Sequence, residues 1–138
     1  MNVTAIPLVG RILLAAIFVL SGFGKLFAPE ATQGYIAHAG LPFPQLAYVG
    51  AVVIEIGGGV LLAVGYKTRL AAMVLAVFTL AAGLIFHNAI GDQNHFIHLL
   101  KNFAIAGGLL QVVAFGAGTL SPDARPIPSQ EKRHVTQQ

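Results

Sequence analysis

Four membrane-spanning α-helices in an up-and-down bundle, with a short interfacial helix in the first outer loop, are expected from this chain on three grounds. Its 138 residues are 56% hydrophobic and only 9% charged, against roughly 25% charged in a soluble domain. A water-facing surface would lack its polar cover, so the apolar side chains must face lipid. Four apolar runs approach the roughly 20 residues that a helix needs to cross a hydrocarbon core of about 30 Å. Lysines and arginines gather at one set of run ends, as they do when loops are sorted across a membrane. A single domain, residues 1–120, is expected at this length, followed by a tail.

Lipid offers no partner to a free backbone N–H, so a spanning segment is either a helix or part of a closed barrel. The runs here are continuous, rich in Leu, Ala and Gly, and show no period-2 alternation, which selects helices. The first covers about residues 6–27, with Arg11 and Lys25 near its two ends. Lys25, Phe27 and Pro29 stand where a signal-peptide cleavage site would lie, so this helix is expected to be retained. Pro29 and Glu30 then suit the first turn of a short helix, and Gly40 before Leu41-Pro42 ends it. Tyr35 and Ile36 give that helix an apolar side, and it is expected to lie as a lid on the bundle.

The second span covers about 46–65 and carries Glu55 near its middle. The brief turn Gly65-Tyr66-Lys67-Thr68-Arg69 makes it the antiparallel neighbour of the third span, about 70–87, which is uncharged from Leu70 to Phe86. The fourth covers about 98–120, with Lys101, Asn102 and Gln111 as its polar members. Residues 121–138 are polar and carry Pro122, Pro126 and Pro128, the composition of a flexible tail. An up-and-down path puts Arg11, Lys67, Arg69, Arg125, Lys132 and Arg133 on one side, and only Lys25 and Lys101 on the other. The positive-inside rule then places both termini in the cytoplasm.

The chain has no cysteine, which excludes disulfides, thiolate nucleophiles, iron–sulfur clusters and thioether-attached haem. Its net charge of +3 brackets apolar segments rather than forming one stripe, so no nucleic-acid partner is expected; the partner is the lipid bilayer.

An ionisable side chain inside a span costs about 3 kcal/mol on insertion scales and is a functional candidate for that reason. Glu55 lies roughly 14 Å from each interface at 1.5 Å per residue. It must be protonated or have a cationic partner. Tyr48, seven residues earlier, shares nearly its face, and Gly58 and Gly59 allow a neighbouring helix to come close. Lys25 and Ser21 lie one turn apart on the first helix, while His98, Lys101 and Asn102 lie in the outer half of the fourth. Together with His87 these residues are expected to point into the outer half of one bundle. Lys25 can also snorkel to the outer interface and Arg11 to the inner one. A Glu–Lys pair can simply lock helices together, or it can hold a small amphipathic molecule or a proton. His87, Asp92, His95 and His98 raise a metal or haem reading, but imidazoles at a wet helix end are commonly titrating surface groups, so neither is expected.

The order of these motifs resembles the DoxX family of small bacterial membrane proteins over about Val9 to Asp123. The resemblance is carried by Arg11, Ser21-Gly22-Phe23-Gly24-Lys25, Gly34-Tyr35 and Gly40-Leu41-Pro42 in the first third of the chain. It continues through Glu55-Ile56-Gly57-Gly58-Gly59, the turn Gly65 to Arg69, Lys101-Asn102, Gly107-Gly108 and Gly116 to Asp123. Pro122 departs from the aliphatic residue usual before that Asp. The resemblance implies a four-helix bundle in the bacterial cytoplasmic membrane. Some relatives are quinone-linked subunits, as in thiosulfate:quinone oxidoreductase, and others are associated with membrane redox complexes or with quinone and catechol stress. The expectation is an accessory or binding component of a membrane redox system that holds a quinone-like or lipid-like molecule, with Glu55 and Lys101 as polar contacts. The resemblance leaves a quinone-linked oxidoreductase subunit open, although the chain shows no convincing catalytic constellation. A scaffold subunit among membrane redox partners and a small oligomeric transporter are the alternatives.

Overall fold

The computed structural model describes residues 2–124. The predicted tail beyond Ala124, with the topology charges Arg125, Lys132 and Arg133, lies outside the described residues. After a 3-10 turn at Val3–Ala5 come α1 (Ile6–Phe27), α2 (Pro29–His38), α3 (Pro44–Val64), α4 (Thr68–Phe86) and α5 (Gln93–Phe115). Four of these helices are long and apolar enough to cross a membrane, and α2 is the short helix expected between the first two. The fold is an all-α membrane bundle.

Helix ends follow local chemistry. Pro sits in the first turn of α1, α2 and α3, where its missing N–H has no intrahelical role. The helix α5 begins five residues before the expected start at His98, because Asp92 Oδ1 accepts the His95 amide at 3.0 Å and caps it. It stops at Phe115 instead of Leu120, since Gly116 turns out of the helix at φ 81°. Gly65 ends α3 in the left-handed region at φ 83°.

The helices pack chiefly as two pairs, α1 on α3 and α4 on α5, joined through α3 and α4. Small residues set the first pairing. A Cβ added at Gly22 would stand 2.5 Å from Ile56 Cγ1, and one at Gly59 would stand 2.8 Å from Val19 Cγ2. Backbones at that separation need glycine. The shared core is Ala15 and Phe18 of α1, Leu62 of α3, Ala72, Leu75 and Ala76 of α4, and Leu109 of α5. Outward-facing Leu13, Leu20, Val53 and Val77 remain more than half exposed, the surface a bilayer covers.

Arg11 does not snorkel to an interface. It is 1% exposed, and its guanidinium donates to the carbonyls of Leu62 and Ala63 at 3.0 Å each and of Leu120 at 2.8 Å. The reason is the set of carbonyls left open at the C-terminus of α3, which a planar fork of donors satisfies better than water could. Ser121–Ala124, expected within the tail, are held against the α3–α4 turn by the same arrangement. The Asp123 carboxylate accepts the amides of Lys67 (2.8 Å) and Thr68 (2.7 Å), capping α4 from a distant part of the chain.

The Thr68 side chain and amide, then the Lys67 amide and the Arg11 charge, hold the Asp123 carboxyl below its ordinary range. A carboxyl depressed in the folded state stabilises it above the ordinary value of 3.8, and that contribution is lost as pH falls below it. Asp123→Asn is therefore expected to lower stability by about 1 kcal/mol at pH 7, a typical cap loss. The difference from wild type should shrink towards pH 3, read as thermal unfolding in detergent micelles at both pH values.

Candidate functional site

At the opposite end from Arg11 the two helix pairs part around a cavity of about 420 Å³. Its walls are mostly apolar: Ala47 and Ala51 from α3, Phe78, Ala81, Ala82, Ile85 and Phe86 from α4, and Ile36 and Leu41 from the lid region. The polar members are Ser21, Lys25, Thr32, Glu55, His87 and Asn102, together with the Tyr35 hydroxyl.

Glu55 is 5% exposed and sits at the α1–α3 contact that Gly22 makes possible. Lys25 and Ser21, four residues apart on α1, project together because i and i+4 share a helix face. The Lys25 ammonium donates to Glu55 Oε1 at 3.0 Å and to Ser21 Oγ at 2.8 Å, and the Ser21 hydroxyl donates to the same Oε1 at 3.0 Å. Lys25 Nζ also lies 2.8 Å from Oε2, so the ammonium faces both carboxylate oxygens. Oε1 has the Ser21 hydroxyl as a second partner, whereas Oε2 has the ammonium alone among the described residues. Tyr48 OH donates to the Lys25 carbonyl at 3.1 Å, which ties α3 to the last turn of α1.

Of the residues singled out in the sequence, Glu55, Lys25, Ser21 and Tyr48 thus form one network, and Asn102 and His87 line the same cavity. Asn102 packs against Gly83, where an added Cβ would come within 2.9 Å of its amide nitrogen. Lys101 lies elsewhere. It is exposed and does not line the cavity, because α5 turns its Asn102 face to α4 and Lys101 points about 100° away. His98 is also exposed, and it stacks on His87 at 5.0 Å between ring centroids.

The lid contributes more than its sequence signal suggested. Ile36 is buried, and the Tyr35 ring stacks on Phe86 with centroids 5.1 Å apart and an interplanar angle of 18°. Phe78 and the four wall alanines carried no sequence signal, since apolar residues in a span look alike whether they face lipid or a cavity. No group of three or more His, Asp or Glu side chains among the described residues is placed to hold a metal ion. The arrangement can bind the polar end of a molecule at the Lys25–Glu55 pair and Asn102 and can bury its apolar body against alanine and aromatic walls.

Four apolar helices enclosing a cavity with an intramembrane ion pair define a small polytopic membrane protein. The chain belongs to the DoxX family, whose model matches residues 6–88 and so takes in Ser21, Lys25 and Glu55. It is 34% identical over 116 residues to the inner membrane protein YqjF of Escherichia coli K12, covering 84% of this chain and 88% of that protein. It is also 34% identical over 125 residues to the inner membrane protein YphA of the same organism, covering 86% of this chain and 88% of that one. No solved structure matches the chain. The fold and these relatives together make it a multi-pass protein of the bacterial inner membrane.

Proposed function

We propose that this chain is a binding component that holds a small amphipathic molecule, quinone-like or lipid-like, in the cavity beside Glu55. Lys25 takes the place first expected for Lys101 as the cationic side of the site. The observation that carries this reading is the cavity itself. Its volume of about 420 Å³ falls within the roughly 300–1,000 Å³ of small-molecule pockets, which combine apolar walls with a few placed polar groups. A pair that served only to lock helices would need no space beside it.

The redox setting of the proposal comes from the family resemblance, and the orientation from the Lys and Arg count. Both termini lie in the cytoplasm, so the cavity opens in the periplasmic half of the bundle. The reading is tested by filling the cavity while leaving the ion pair alone. Ala82→Phe, or Ala51→Leu on the facing wall, should keep the fold and remove any small molecule that stays bound to gently extracted wild type. Native mass spectrometry and thermal unfolding of the same samples check both halves. A bound molecule retained in folded forms of both variants would contradict the assignment of the cavity.

A further inference from the structure

Three imidazoles meet where α4 ends and α5 begins, and one of them, His87, lines the cavity. His87, at the C-terminal end of α4, faces His98 with ring centroids 5.0 Å apart and His95 with centroids 5.7 Å apart. His95 and His98 stand on the first turns of α5, and His87 lines the cavity. The Nδ1 atoms of His87 and His95 are buried, with no hydrogen-bond partner among the described residues.

We propose that the His87–His95–His98 stack is a pH-responsive gate over the cavity, closed when the rings are neutral and opened when two or more are protonated. The inference rests on the cavity being a ligand site, but its test reads the loop itself.

The physical case has two parts. Rings 5.0–5.7 Å apart tolerate one positive charge; a second places like charges side by side, and of the three rings only His98 is exposed. A proton added at a buried Nδ1 also has no acceptor there, and burying an unpaired charged donor is costly. Both effects are relieved if the α4–α5 loop moves away from α5 and the rings reach water.

Nearby charges do not cancel this. Asp92 is the adjacent carboxylate; its Oδ1 accepts the His95 amide, and its single charge offsets one imidazolium but not two. Lys101, one turn beyond His98, adds positive charge. Across the cavity, Lys25 of α1 and Glu55 of α3 answer each other, and α2 contributes Tyr35. Burial first, then the His98 and His95 rings, hold the His87 imidazole below its ordinary value. The His87 ring therefore stays neutral at neutral pH and takes up a proton only at a lower pH than an unperturbed imidazole.

The link from stack to mouth is short, since Phe86 precedes His87 and carries the lid through its contact with Tyr35. Loop movement at His87 should loosen that contact.

The chain has no cysteine, so spin labels can be placed at Ala31→Cys on α2 and Ile90→Cys in the α4–α5 loop without competing sites. Pulsed electron-electron resonance in lipid nanodiscs then reads their separation at pH 8 and pH 5. The expected result is a shift to longer, broader distances at pH 5, abolished when His95→Gln and His98→Gln leave one imidazole in place. Identical wild-type distances at both pH values would overturn the gate, as would an undiminished shift in the doubly substituted protein. Neither outcome depends on whether a molecule binds in the cavity.

Discussion

Arg11→Met is expected to destabilise the bundle by roughly 3–5 kcal/mol, the scale seen when one partner of a buried charged network is removed. The guanidinium is 1% exposed and serves three carbonyls at once. Leu62 and Ala63 lie at the C-terminal end of α3, where no further turn of helix supplies amides. Leu120 anchors the segment that brings Asp123 to the start of α4. Methionine fills much of the volume but leaves these acceptors without a donor, at about 1–3 kcal/mol for each buried group. Arg11→Lys should fall between wild type and Arg11→Met, because a single ammonium cannot span the α3 terminus and Leu120 as a planar fork does. Unfolding in mixed micelles checks the series, and a loss under 1 kcal/mol for Arg11→Met would show that water or lipid headgroups replace the donor.

The second large effect concerns the pair in the cavity. Lys25→Met should cost about 3 kcal/mol and Glu55→Leu about 2, both near the lower end for broken buried pairs. The order follows from exposure. The Lys25 side chain is 25% exposed and can swing its ammonium towards the interface, whereas Glu55, at 6%, is left with the Ser21 hydroxyl alone. The doubly apolar protein, Lys25→Met with Glu55→Leu, should recover most of that loss, since well-packed apolar residues often replace a buried pair without penalty. It should still fail to hold a ligand. Stability and binding are thereby separated, which distinguishes a binding site from a helix lock. A double-mutant cycle of unfolding free energies, with the bound-molecule content of each protein, is the check.

Much of the fold could be read directly because lipid leaves so few options. A chain that must satisfy every backbone group within a span shows its helices as apolar runs, and Gly65, Gly40 and the prolines mark where those runs end. The core of the site was legible for a related reason. Glu55 and Lys25 are costly at their depths, and Ser21 is placed by simple i,i+4 geometry. What failed was rotation and distance. Lys101 and Asn102 are adjacent in sequence, and only the choice of α4 as neighbour decides which of them faces inward. The role of Arg11 depends on carbonyls 51, 52 and 109 residues away, for which a single chain carries no local signal. The cavity walls are silent for the same reason, because an alanine facing a void reads like one facing a helix.

The most direct measurement is native mass spectrometry of the wild-type protein and Glu55→Gln, released side by side from the same mild detergent. Gln keeps the volume and can still meet Ser21, so the bundle should remain folded. The expected result is a discrete small-molecule adduct on wild type that is absent from Glu55→Gln. Bare wild-type protein, or an adduct of equal occupancy on both, would contradict a ligand site built on Glu55.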